Sequence, residues 1–226
     1  MHPTDDGFLP LLDRIARAEP GRLFARRGGG ALAFGAVERG SRALAAWLSG
    51  LGIRAGDPVA MMLRNSEVSL VLLFAIARLG AVWVPLNTQA RGDSLAYILG
   101  HAEPRLAIVE PDLAETIRSC GPQARGLAIA VAGEAAAAMR AASFPEPPAA
   151  PHDPEAAYAI MYTSGTTGRP KGVIVSHRML RLAGEAARLV SGAEDGDVMF
   201  MWEPFFHIGG AQMIVLPLIR RVSLAM

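Results

Sequence analysis

The sequence predicts an α/β protein of layered, parallel-rich sheets flanked by helices. Two observations carry that expectation. Amphipathic stretches alternate with short apolar runs across turn residues, the form that β-α units around a parallel sheet take in sequence. Hydrophobic residues make up 51% of the 226 positions against 19% charged, enough to bury a large core and too many for a disordered chain.

The first clear unit starts at Phe34. Val37, Leu44, Leu48 and Leu51 recur at helical spacing while Glu38, Arg39 and Arg42 fall elsewhere, so a helix to Leu51 should cover a sheet face, with Gly52 as its stop. Val59–Leu63 (VAMML) follows as a strand. Asn65 or Ser66 then offers a side-chain oxygen to cap a helix that runs through Leu79 and closes at Gly80. The apolar text from Val68 to Leu86 invites a membrane reading, but a spanning helix needs roughly 20 mostly apolar residues, and Arg78 and Pro85 interrupt this one. It reads instead as a buried helix followed by the strand AVWVPL, whose pairing Pro85 limits.

A helix from about Gly92 to His101, a strand from Arg105 to Glu110, a shorter helix from Leu113 to Ser119, a strand from Leu127 to Val131 and an alanine-rich helix from Gly133 to Ala142 complete this half. Residues 143–154 (SFPEPPAAPHDP) are a proline-rich connector that can neither continue a helix nor fill a sheet ladder; it either separates two domains or crosses between lobes of one. Beyond it come strands at Ala157–Thr163 and Gly172–Ser176, a helix from His177 stopped by Gly192, a strand at Asp197–Trp202, a helical segment (GGAQMIVLPLI) disturbed at Pro217, and a strand beginning in RVSLAM. That last apolar run has no obvious partner, and the chain reads as truncated there.

Charge is balanced, with 22 Lys and Arg against 21 Asp and Glu, so no basic footprint for nucleic acid is expected. Cys120 is the single cysteine and has no intramolecular partner; the opening MHPTDDGFLP carries acids where a secretory leader carries positive charge, which makes a reducing cytoplasm the expected compartment. His2, His101, His152 and His177 are scattered, without metal-ligand spacing. Homo-oligomerisation is left open.

The informative segment is Thr163–Gly172, TSGTTGRPKG, which places three glycines, four hydroxyl side chains and one lysine in ten positions directly after a strand. Glycines let backbone N–H groups approach an anion, hydroxyls add donors and a lysine supplies a mobile charge. The spacing is neither a Walker A loop nor a dinucleotide-binding G-x-G-x-x-G. The plain alternative is a hairpin loop with a solvated lysine. Against it, Pro170 stiffens the segment and no acid lies between Glu155 and Lys171.

The string IMYTSGTTGRPKGVIVSH, Ile160–His177, resembles the phosphate-loop signature of adenylate-forming (AMP-binding) enzymes: acyl-CoA synthetases, peptide-synthetase adenylation domains and luciferases. RNSEVSLVLLFAIARLGAVWVPLN and SLAYILGHAEPRLAIV resemble segments ahead of that loop in acyl-CoA synthetases, and EPFFHIGG (Glu203–Gly210) resembles their acyl-pocket motif. RGDSLAYIL and FFHIGGAQMIVLPLIRR are similar to the crotonobetaine and carnitine CoA ligase branch.

The resemblance implies that residues 1–226 are an incomplete N-terminal domain of an acyl-CoA synthetase-like fold. It implies an acid–CoA ligase reaction: a carboxylate attacks the α-phosphate of Mg2+-bound ATP, pyrophosphate leaves, and coenzyme A takes the acyl group from the adenylate. Thr163, Ser164, Thr166 and Thr167 would donate to the β- and γ-phosphates, Gly165 and Gly168 would permit close approach, and Lys171 would offset the pyrophosphate charge. His207 would position the acid and later the thiol. Trp202, Phe205 and Phe206 are read as core ahead of pocket walls. The family's later segments, including its catalytic lysine, are not in this sequence, so little or no turnover is expected of it alone. Two other readings stand beside this one: an adenylation domain that loads a carrier protein, and a non-catalytic nucleotide-binding fragment.

Overall fold

The structure, a computed structural model, describes residues 7–148, 153–163 and 169–226. Its elements in chain order begin with α1 (Leu9–Ala18), β1 (Leu23–Arg27), β2 (Gly30–Ala33), α2 (Phe34–Gly50), β3 (Pro58–Met62), α3 (Glu67–Leu79), β4 (Val82–Pro85), α4 (Gly92–Ala102) and β5 (Leu106–Val109). Next come α5 (Ala114–Arg118), β6 (Ala128–Val131), α6 (Ala132–Met139), β7 (Ala157–Thr163), β8 (Lys171–Ser176), α7 (His177–Ser191), β9 (Val198–Phe200), α8 (Ile208–Met213), α9 (Leu216–Ile219) and β10 (Ser223–Ala225).

The strands form two sheets, one in the order β6-β5-β3-β4-β7-β8 and one in the order β2-β1-β10-β9. Every pairing is parallel except β7 with β8 and β1 with β2. β3 shows why the larger sheet is covered on both sides. Val59 and Met61 enter the main core with α2 and α3, while Ala60 and Met62 enter a second cluster with Leu95, Ile98 and Leu99 of α4. Alternation along a strand sends successive side chains to opposite faces, and apolar residues on both faces require helices on both. The main cluster also takes Phe24 and Leu224 from the smaller sheet, so one interior joins the two.

α3 is buried along nearly its whole length, from Ser69 to Ala77, at the centre of this interior. Each fully buried Leu, Ile or Phe there contributes roughly 1.5–3 kcal/mol. Ser66 is its cap, accepting from the Ser69 N–H, and Gly80 ends it in the left-handed region at φ 66°. Arg78, the residue that interrupts the apolar run, is held by Asp13 of α1 and by Ser41 of α2. Among the described residues no helix is long and apolar enough to cross a membrane.

Some expectations hold and others are corrected. Ahead of the unit that starts at Phe34, α1 buries Leu11, Leu12 and Ala16, and β1 and β2 form a hairpin. Gly52 does close α2 as expected: the last helical residue is Gly50, and Gly52, at φ 90°, returns its N–H to the Ser49 carbonyl at 3.0 Å. α6 ends at Met139, three residues short of Ala142. The disturbance expected at Pro217 is present: residues 208–219 form two short helices, with Pro217 in the first turn of the second, where its missing N–H leaves no hydrogen bond unmade. The terminal strand is not unpartnered: β10 lies between β1 and β9 and is parallel to both. The connector's described residues run from α6 to β7, which pairs with β4 in the larger sheet.

Candidate active site

β7 and β8 form an antiparallel hairpin in which Thr163 pairs with Lys171 and Tyr162 with Gly172. Directly opposed residues of an antiparallel pair project to the same face, with Cβ atoms roughly 5 Å apart. Thr163 and Lys171, which open and close the glycine-rich loop, therefore leave the hairpin on one face, and both are exposed. Ser164, Gly165, Thr166, Thr167 and Gly168 lie outside the described residues. A Cβ at position 172 would sit 3.0 Å from Ile160 Cγ2 and 3.4 Å from the Tyr162 ring, so glycine there leaves room for that ring against β8.

Thr163 is also on the wall of a cavity of about 490 Å3 that includes Asn87, Met161, Val175, Phe206 and His207. The cavity opens past the carboxyl ends of β4 and β7, where parallel sheets place their ligand crevices. Its wall is mainly apolar, and the described residues bring no Asp, Glu, Lys or Arg to it.

His207 comes to this wall from a tight motif. Asn65, the residue before the α3 cap, donates through Nδ2 to the Glu203 carbonyl at 2.9 Å and accepts the Phe205 N–H on Oδ1 at 2.9 Å. Phe205 is buried at 4% exposure and anchors the segment in the core. His207 then caps α8, its Nδ1 accepting the Gly209 N–H at 3.2 Å. Glu203 Oε2 stands 3.2 Å from the same nitrogen. A neutral ring serves Gly209 through Nδ1 and carries its proton on Nε2, which can donate to a ligand oxygen; a protonated ring can pair with Glu203 instead. Gly210 makes the turn sterically feasible, since a Cβ there would fall 2.2 Å from the Pro204 carbonyl oxygen.

The site thus joins His207 and Thr163 on one wall, with Lys171 opposite Thr163 on the same rung of the hairpin. Of the three aromatic residues expected in the core, only Phe205 is there. Phe206 lines the cavity, and Trp202 is 73% exposed beyond the end of β9. Sequence reasoning did not find Tyr162, whose hydroxyl is hydrogen-bonded to His101 Nδ1 at 2.6 Å; burial, reinforced by Tyr97 nearby, pushes its phenol up to about 12. Nor did it find the role of Asn65, which carries no local signal. His177 is a core residue stacked on Phe8 at 5.5 Å. Cys120 is buried, which raises its thiol pKa. Among the described residues no group of three His, Cys, Asp or Glu side chains could hold a metal ion.

A crevice at the carboxyl ends of the strands, beside a hairpin whose connecting sequence is rich in glycine and hydroxyl residues, defines the class as an α/β domain with a ligand-sized site. The chain belongs to the AMP-binding enzyme family, whose model matches residues 12–226. It is 34% identical over 217 residues to a fatty acid–[acyl-carrier-protein] ligase, ScoC, of Streptomyces coeruleorubidus, covering 92% of this chain and 41% of that one. It is 33% identical over 172 residues to a crotonobetaine/carnitine–CoA ligase of Salmonella paratyphi A, covering 70% and 33% respectively. The inhibitor-bound N-terminal domain of FACL13 from Mycobacterium tuberculosis superposes with a TM-score of 0.88 at 26% identity, over 98% of this chain and 57% of that one. The chain spans about two-fifths of the length of the first of these curated relatives.

Proposed function

We propose that this chain is the acid- and ATP-binding part of a cytoplasmic ligase that activates a small carboxylic acid. A carboxylate oxygen attacks the α-phosphorus of ATP, the bond to the β-phosphate oxygen breaks, and acyl-adenylate and pyrophosphate result. A thiol, that of coenzyme A in the principal reading, then displaces AMP to give the thioester. The observation that carries this is the pairing of Thr163 with Lys171 on the rung next to the cavity that His207 lines. A donor and a cation meet the departing pyrophosphate while an imidazole N–H meets the acid. Phosphoryl transfer asks the protein mainly for position and charge, and this arrangement offers both. Mg2+ in this reading arrives bound to the nucleotide, and Ser164, Gly165, Thr166, Thr167 and Gly168 complete the phosphate cradle.

Acid-dependent ATP–pyrophosphate exchange tests the reading, measured on the 226-residue chain and on a C-terminally extended one. Lys171→Ala should lower exchange by about 100-fold, on the scale of removing one charge-stabilising donor. An unchanged rate would refute the phosphate role. A second reading replaces CoA by a carrier-protein thiol, favoured by the similarity to the acyl-carrier-protein ligase; acyl transfer to a holo carrier protein and not to free CoA would select it. Nucleotide binding without adenylate in the extended chain would select a non-catalytic role.

A further inference from the structure

The two described ends of the phosphate loop lean on one helix. Before the loop, the Tyr162 hydroxyl is hydrogen-bonded to His101 Nδ1 of α4, and the two rings meet edge to face with centroids 5.7 Å apart. After the loop, the Arg169 guanidinium lies over the Tyr97 ring, 5.6 Å from its centroid. Tyr97 and His101 are one helical turn apart on α4, so they share a face, and their rings stack at 5.7 Å with 27° between planes. Arg169, Tyr97, His101 and Tyr162 form an unbroken file. It joins one end of the loop to the other from outside, past the last rung that Thr163 and Lys171 make.

We propose that Tyr97 and His101 are positioning residues that clamp both ends of the phosphate loop and so set where Thr163 and Lys171 stand when a polyphosphate arrives. The proposal rests on the phosphate-binding reading above. A loop whose ends are already fixed loses less conformational freedom on binding, which strengthens binding without any new contact to the ligand. The guanidinium needs an aromatic face, which phenylalanine supplies and leucine does not. His101 acts through the hydroxyl of Tyr162, so removing that one oxygen isolates its part.

Amide hydrogen exchange of residues 160–172, together with calorimetric titration of MgATP, tests the clamp on the wild-type chain and on Tyr97→Leu, Tyr97→Phe and Tyr162→Phe. Exchange at Thr163–Lys171 should rise, and MgATP affinity fall, by roughly five-fold in Tyr97→Leu, the scale of one cation–π contact. Tyr97→Phe should restore both at an unchanged melting temperature. Tyr162→Phe should loosen the loop as well. If Tyr97→Leu lowers the melting temperature, the surface variant Arg169→Gln removes the same contact from the other side. Loop exchange unaltered in Tyr97→Leu or Arg169→Gln overturns the clamp whatever the nucleotide does, and unaltered exchange in Tyr162→Phe overturns the part given to His101. An affinity loss shared equally by Tyr97→Leu and Tyr97→Phe also overturns it. A looser loop in a protein whose wild type binds no MgATP leaves the clamp standing and removes the phosphate reading instead.

Discussion

Asn65 holds Phe205 across 140 positions of sequence, its one side-chain amide closing both a donor and an acceptor of the turn that delivers His207. The start of α3 and the acyl-pocket motif are thereby tied to one another, and the cavity wall acquires a fixed origin in the core.

Asn65→Ala should leave the Phe205 N–H and the Glu203 carbonyl without protein partners. Orphaning such groups costs about 2 kcal/mol, readable as a shift in the urea midpoint with an unchanged slope. Asn65→Asp keeps the acceptor and turns the donor into an oxygen facing the Glu203 carbonyl, so it should be no better than alanine.

Gly210→Ala should be the most disruptive single methyl group in the site. The added Cβ would meet the backbone of Pro204 rather than a side chain that could move aside. About 3 kcal/mol of destabilisation is expected from overpacking of this kind. Thermal unfolding measures it, and a wild-type melting curve would contradict the geometry of the turn.

Arg78→Met should destabilise the chain although it extends an apolar helix. The Arg78 side chain is 8% exposed and pairs with Asp13, which is 32% exposed. Its Nε also donates to Ser41 Oγ at 2.7 Å. Removing one partner of a buried pair costs about 3 kcal/mol at the lower end of the usual range, and the partial exposure of Asp13 favours that end. Double-mutant analysis with Asp13→Asn should recover part of the loss, because the carboxylate is then no longer left alone.

The raised Tyr162 phenol predicts a pH dependence with a definite sign. An unhindered tyrosine ionises near pH 10, and Tyr162 does so at about 12 in the folded chain. Between those values the unfolded chain has released a proton that the folded chain still holds, so stability falls as pH rises through this window. Below pH 10 the contribution is fully present. The stability difference between wild type and Tyr162→Phe should therefore shrink from pH 10 upward, and the phenolate absorbance lost in the variant should be absorbance that appears near pH 12.

What the sequence by itself determined is the class of fold and the class of chemistry. The 3.6-residue periodicity of α2 and the glycine stop of α3 are local matters, and so is the density of glycine and hydroxyl residues between Thr163 and Lys171; each can be read from a short window because its physical cause lies within that window. Only the tertiary structure decided which groups meet. Asn65 and Ser66 are equally plausible caps in text, and the hydrogen bonds assign Ser66 to the helix and Asn65 to a segment far down the chain. β10 looked unpartnered because its neighbours are β1 and β9, one of them near the opposite terminus, and a three-residue strand carries no mark of its partner. Trp202 and Phe206 have the composition of core, yet Trp202 is exposed and Phe206 half-buried on the cavity wall, because of where β9 ends and α8 turns. Hydrogen-bond ladders and packing surfaces accept many sequences, so the choice among partners is made by the global arrangement that buries the most apolar surface while leaving the fewest polar groups unpaired.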